Sequence, residues 1–293
     1  MNRKRAVDKV ATFLFLSAAS FTVLITAGIL YVLLSDTIRF FREVSLVEFL
    51  TETEWTPVFS EKKFGVWPLV TGTLLTAGIA SLISIPLGLI IAIYLSEFAS
   101  YKVREFVKPI IEFLEAIPTV VYGYFALLFV TPLLQKFIPE LDAFNALSPG
   151  IVMGIMILPY TASMSEDALR GVPQELREAA YSMGASKLKT ALTVVVPAAF
   201  SGIVASFILA VSRAMGETMV VAIAAGMYPN FTLNPLEPVE TITAYIVQIS
   251  LGDLPYGSVE YLSIFAVGFT LFVITFIFNL IAFWLRNKIR EAY

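Results

Sequence analysis

The chain has 293 residues, 58% of them hydrophobic and only 15% charged, with a net charge of -3 and a mean hydropathy of +0.81. That balance excludes an ordinary soluble globular protein and indicates a polytopic membrane protein. Cysteine and histidine are both absent, which removes disulfides, thiol chemistry and the commonest metal ligand and proton shuttle.

Stretches free of charged residues run from Val10 to Ser35, Leu69 to Ser96, Ala116 to Gln135, Ala143 to Ser165, Thr190 to Ser212 and Tyr261 to Leu285. A helix needs about 20 residues to cross roughly 30 Å of hydrocarbon, and none of these runs alternates as barrel strands do. They predict six transmembrane helices in an all-α fold. The first follows Arg3, Lys4, Arg5 and Lys9, as a secretion signal would. Its apolar run is longer than a signal's and no small-residue cleavage site follows, so it is expected to remain as a span.

Basic residues near span ends stay on the cytoplasmic side. Besides the N-terminal group, they gather as Lys102, Arg104 and Lys108 after the second span, Arg170, Arg177, Lys187 and Lys189 after the fourth, and Arg286, Lys288 and Arg290 after the sixth. The opposite loops hold only Arg39, Arg42, Lys62, Lys63 and Lys136. Both termini are therefore expected in the cytoplasm.

The two longest polar segments, Asp36 to Trp67 and Gly226 to Glu260, fall on the outer side and are too short for ordinary domains. The first is expected to pack on the mouth of the bundle. The second lacks lysine and arginine but carries Glu237, Glu240, Asp253 and Glu260. Its prolines, Pro229, Pro235, Pro238 and Pro255, predict an irregular cap with one short helix. Its Asn230-Phe231-Thr232 triplet matches a glycosylation sequon, a pattern that arises readily by chance.

In the third span Glu112 and Glu115 share a helix face near the cytoplasmic end, and Pro118 removes a backbone donor just beyond them. They read as acids snorkelling to the interface, with a gating or ion-pair role as the alternative. Gly123, Pro132, Gly154, Pro159, Gly202 and Gly216 read as sites of close helix packing and kinks.

Between the fourth and fifth spans lies PQELREAAYSMGASKLKTALTVVVP, Pro173 to Pro197. Leu176, Ala179, Ala180 and Met183 recur at i, i+3, i+4 and i+7, so a short helix from Pro173 to Gly184 presents one apolar stripe, while Gln174, Glu175, Arg177 and Glu178 point elsewhere. Pro173 suits the first position and Gly184 the terminus. Such a helix docks on a protein partner or lies on the lipid surface. The sequence contains no phosphate-cradling G-x-x-x-x-G-K-[ST] motif. Any ATP that drives this protein must be handled by another subunit.

Arg213 lies in the fifth span, 16 residues or about 24 Å along the axis if a helix starts just past Pro197. An ionisable group at that depth faces a cavity or a partner, and Glu217, four residues on, shares its helix face. One reading is a self-neutralised pair that holds helices together. The other is a substrate contact: guanidinium offers a two-pronged donor to an oxyanion, and the carboxylate accepts the proton that hydrogen phosphate still carries and sulfate lacks.

The spacing Glu178-Ala179-Ala180, Gly184, Val194 and Val196-Pro197 resembles the EAA loop of permease subunits in ATP-binding-cassette importers, with valines where isoleucine and leucine are usual. AIPTVVYG (Ala116 to Gly123), SRAMGETM (Ser212 to Met219) and NPLEPVETITAYI in the outer loop are similar to phosphate importer permeases, particularly the PstC type. The resemblance implies a type I importer permease (MetI-like) fold with six transmembrane helices in a single domain over 1–293, its core at 66–286 and its coupling helix at 173–184. Leu176, Glu178, Ala179, Ala180, Met183 and Gly184 would then meet an ATPase cleft, and Arg213 and Glu217 would lie on the translocation path. The implied partners are a second permease of PstA type, two ATPase subunits of PstB type that carry the ATP and magnesium, and an extracytoplasmic phosphate-binding protein of PstS type. Membrane lipid is the remaining contact, no nucleic acid is expected, and this chain would hold no cofactor and no catalytic residue. Molybdate or sulfate as substrate, and an ion-coupled transporter built on Arg213, Glu217, Glu112 and Glu115, are the alternatives. An intramembrane enzyme finds no candidates, because zinc, thiol and paired-aspartate mechanisms all lack their residues inside the spans.

Overall fold

A computed structural model describes the backbone from Asn2 to Ile289 and the side chains of Asp8 and of residues 10–284. The terminal basic residues Arg3, Lys4, Arg5, Lys9, Arg286, Lys288 and Arg290 lie outside the described side chains. The described residues form helices and two isolated bridges, with no named strand. In chain order the helices are α1 (Asn2–Glu43), α2 (Leu46–Thr51), α3 (Trp67–Phe98), α4 (Tyr101–Ala116), α5 (Thr119–Gln135), α6 (Leu147–Arg170), α7 (Gln174–Ser182), α8 (Lys187–Ala198), α9 (Phe200–Met215), α10 (Met219–Ala224), α11 (Ile242–Ser250) and α12 (Val259–Ile289).

Among the described residues four helices, α1, α3, α6 and α12, are long and apolar enough to cross a membrane. The predicted third and fifth spans are bent pairs instead: α4 meets α5 at 89° and α8 meets α9 at 73°. Six spans are reached when each pair counts as one. Pro118 sits at the first corner, in extended conformation before α5, since the ring removes a donor and disfavours continuing a helix through it. Glu112 and Glu115 therefore lie on α4 ahead of the corner, on a strongly amphipathic helix with no buried residue.

α3 and α6 form the centre of the bundle. Gly150 and Gly154 of α6 lie flush against α3, where an added Cβ would stand 2.8 Å from Ile79 Cβ and 2.9 Å from Ile83 Cβ. Small residues let backbones approach where lipid supplies no hydrophobic drive between helices. Thr161 Oγ1 donates to Ser84 O across the same seam at 2.9 Å. α9 closes on α6 through the buried Ser165 and Ser206 hydroxyls, 2.7 Å apart. α1, in contrast, buries none of its most apolar stretch within the chain and leaves Phe13, Phe15, Phe21, Leu24 and Tyr31 exposed.

The end of the bundle opposite α7 is closed by an aromatic cluster. Phe40, Phe49, Trp55, Phe64 and Tyr245 meet edge to face with ring centroids 5.1 to 6.2 Å apart, a geometry favoured by the ring quadrupoles. Trp55 and Phe64 also pair as a short antiparallel bridge, so the 36–67 segment does pack on the mouth. The second polar segment is irregular and contributes α11 as its single helix.

Candidate functional site

Two charged assemblies stand apart from the apolar core. The first is the mounting of α7. Its backbone ends in a Schellman motif, with Ala185 N–H donating to Ala180 O at 3.1 Å and Gly184 N–H to Tyr181 O at 2.9 Å. Gly184 has φ of +80°, a conformation in which any residue with a Cβ is strained. The predicted helix end is therefore in place, while Pro173 stands just before the first helical residue.

The predicted apolar stripe divides. Leu176 turns inward and packs on the cluster of Ala92, Leu169, Val172, Val195, Ala199 and Ile203. Met183 turns outward and is 88% exposed, because the helix stops at Ser182 and Met183 leaves the helical line. Ala180 is half-buried, whereas Glu178 and Ala179 are exposed.

Arg177, expected to point away from the stripe, does so and is buried. Its Nη2 donates to Glu97 Oε1 at 2.8 Å and its Nε to Glu97 Oε2 at 3.3 Å. Nη1 and Nη2 also donate to Val172 O at 2.6 Å and Leu169 O at 2.9 Å, closing carbonyls that the end of α6 leaves open. One guanidinium thus joins α7, the end of α3 and the end of α6. Glu97 sits in the last, wider turn of α3 and also accepts from Ser96 Oγ at 2.9 Å. Sequence reading missed this pair, and the available signal was slight: Glu97 is the first charge after the apolar run of α3.

A second ion-pair group lies beside it. Glu166, fully buried on α6, meets Arg104 Nε at 2.7 Å and Lys108 Nζ at 2.8 Å, both from α4. Lys108 also reaches Asp167 at 2.8 Å, and Ser163 Oγ donates to Glu112 at 3.3 Å. Basic residues that marked only a membrane side in the sequence thus bind α4 to α6, and Glu112 takes part in the same seam.

The other assembly is at the break between α9 and α10. Arg213 Nη1 donates to Glu217 Oε2 at 3.1 Å, so the expected pair forms. Glu217 Oε1 accepts from Met219 N–H at 3.2 Å and Val220 N–H at 3.5 Å, and Thr243 Oγ1 donates to the Glu217 carbonyl at 2.6 Å. The carboxylate is 3% exposed and capped within the chain, whereas the Arg213 side chain is 38% exposed. Its Nε and Nη2 have no hydrogen-bond partner among the described residues. Glu115 lies within electrostatic reach of Arg213. α9 starts at Phe200, just past Pro197 and after the 73° bend, so Arg213 lies about 20 Å along its axis. Among the described residues no group of three or more carboxylates is placed to hold a metal ion.

Residues 84–291 match the family described as binding-protein-dependent transport system inner membrane component. The chain is 35% identical over 245 residues to the probable ABC transporter permease protein YqgH of Bacillus subtilis, covering 84% of this chain and 79% of that protein. It is 35% identical over 263 residues to the phosphate transport system permease protein PstC of Mesorhizobium japonicum, covering 82% and 78%. A chain of the inward-facing MetNI methionine ABC transporter superposes with a TM-score of 0.57 at 17% identity, over 78% of this chain and 95% of that one. At that identity the likeness speaks for the fold alone.

Proposed function

This chain belongs to the binding-protein-dependent transport system inner membrane components, and on that premise we propose that it conducts inorganic phosphate through the inner membrane. It is a multi-pass permease subunit of an ABC importer, in a family that is not catalytic. The observation that supports an oxyanion is Arg213, a half-exposed guanidinium with free donors held by a buried and fully engaged carboxylate, and the likeness to a phosphate permease of PstC type narrows the oxyanion to phosphate. Glu217 here orients Arg213 and caps α10, and Arg213 supplies the planar donor pair that suits a tetrahedral oxyanion.

In this reading the α7 end faces the cytoplasm, as the loop charges expect. Glu178, Ala179, Tyr181, Met183 and Gly184 make the surface offered to an ATPase subunit, while Leu176 and Arg177 hold the helix to the bundle. Force applied to α7 reaches α3 and α6 through Arg177 and Glu97. A sister permease of PstA type, two ATPase subunits with their ATP and magnesium, and an extracytoplasmic phosphate-binding protein complete the assembly.

Radiolabelled phosphate uptake by the reconstituted importer tests this. Arg213→Gln is expected to lower uptake roughly 10- to 100-fold, the range for losing a charge-assisted hydrogen bond. Excess sulfate or molybdate is expected to leave wild-type uptake unchanged. Competition by either anion, or full phosphate transport by Arg213→Gln, refutes the substrate assignment.

A further inference from the structure

The end of the bundle opposite α7 contains a cavity of about 620 Å³ between the 53–59 segment and the 227–231 loop. Its size is that of a site for a ligand or an inserted loop. Glu240 and Trp55 both line it, each 1% exposed. Among the described residues Glu240 Oε1 has no hydrogen-bond partner, whereas the Trp55 indole is turned to the Tyr245 hydroxyl. Buried polar atoms are ordinarily satisfied, so a carboxyl left without a partner at the wall of a cavity marks a place where something binds.

The chemistry of the walls selects the occupant. No lysine or arginine lines the cavity, while Phe59, Tyr228, Phe231 and Tyr245 join Trp55 in surrounding it with aromatic rings. Glu54 is the other acid on the wall and is already met by Lys63 at 2.9 Å. Glu240 therefore has the only uncompensated carboxyl among the lining residues. An acid and aromatic rings together suit an ammonium group. A lysine side chain provides it.

We infer that this cavity is a socket for a lysine-bearing loop of the extracytoplasmic partner protein. The inference rests on the importer reading for its partner, and the acidic loop from Gly226 to Glu260, which has no basic residue, gives the surrounding surface the complementary charge. Desolvation alone pushes the Glu240 carboxyl up to about 8. The titratable groups facing it are Tyr245 of α11, Tyr228 of the 227–231 loop and Glu54 with its partner Lys63. An arriving ammonium must therefore displace a proton, and affinity rises with pH until about 8 and then levels off.

Calorimetric titration of the peptide acetyl-Gly-Lys-Gly-amide into the full-length chain in lipid nanodiscs tests the socket itself. Saturable binding is expected, with proton uptake by the buffer, and is weakened about tenfold or more by Glu240→Gln and by acetylating the lysine of the peptide. Absence of saturable binding, or binding indifferent to both changes, overturns the inference. In the assembled importer, Glu240→Gln is expected to raise the half-saturating concentration of the binding protein about fivefold or more, and an unchanged value in an active importer overturns it as well. Absence of phosphate uptake by the wild-type assembly instead refutes the phosphate reading and leaves the peptide result to decide the socket.

Discussion

The two ends of the bundle each bury a glutamate, and they treat it in opposite ways. At the α7 end Glu97 is gripped by Arg177 in two places, and the guanidinium also closes the carbonyl groups at the end of α6. At the other end Glu240 is buried among aromatic rings and prolines with an oxygen left open. The first end is built to transmit: a charge network has one good geometry, and moving any member exposes the others to desolvation. The second is built to receive: edge-to-face rings make a firm rim, and the unmet carboxyl keeps binding energy in reserve for an occupant.

Removing the grip tests the comparison most severely. Arg177→Ala leaves Glu97 buried without its cation and is expected to lower unfolding stability by about 3–5 kcal/mol. Thermal unfolding in nanodiscs measures it. The same importer is expected to hydrolyse ATP with little transport, and a charge swap of Arg177 and Glu97 should recover part of the coupling if the link is the path of force.

The opposite end predicts a pH signature. Below its ordinary value of 4.5 Glu240 is protonated whether folded or unfolded, whereas between 4.5 and about 8 only the folded state keeps the proton. Folded protein then binds more protons than unfolded, so stability falls as pH rises through that window, by up to about 1.4 kcal/mol per unit. Glu240→Gln is expected to flatten the slope and to be the more stable protein near pH 8, as read from unfolding midpoints across pH. An equally steep slope in the variant would assign the effect to other groups.

Two smaller changes sharpen the account of α7. Gly184→Ala places a Cβ on a backbone at φ of +80° and is expected to lower stability by about 1–2 kcal/mol through conformational strain, since nothing stands within 4 Å of the added atom. Met183→Asp, on an 88% exposed side chain, is expected to change stability by less than about 0.5 kcal/mol. It should nonetheless weaken ATPase co-purification with the chain. Unaltered co-purification would exclude Met183 from the contact surface.

Much of the molecule could be read before any coordinates. The charge-free runs locate α1, α3, α6 and α12 because the length of an apolar run is a local property. The end of α7 was legible because Gly184 alone tolerates the turn its position requires. The i, i+4 spacing of Arg213 and Glu217 was enough to pair them, yet it could not tell that Glu217 would be turned inward to cap α10 and Arg213 outward. Arg177 and Lys108 were read by their charge, as marks of a membrane side. Their partners Glu97 and Glu166 are far away in the sequence, and spacing carries no information about such pairs.

The sequence by itself determined that this is an all-α membrane protein with a short amphipathic helix outside its spans, because hydropathy, charge and backbone preference are properties of each residue and its near neighbours. Only the tertiary structure decided that two spans are bent, that the α7 stripe is divided between core and solvent, and that one buried glutamate is paired while another is left open. Those outcomes depend on which distant groups arrive at the same place and on how much water is excluded when they do.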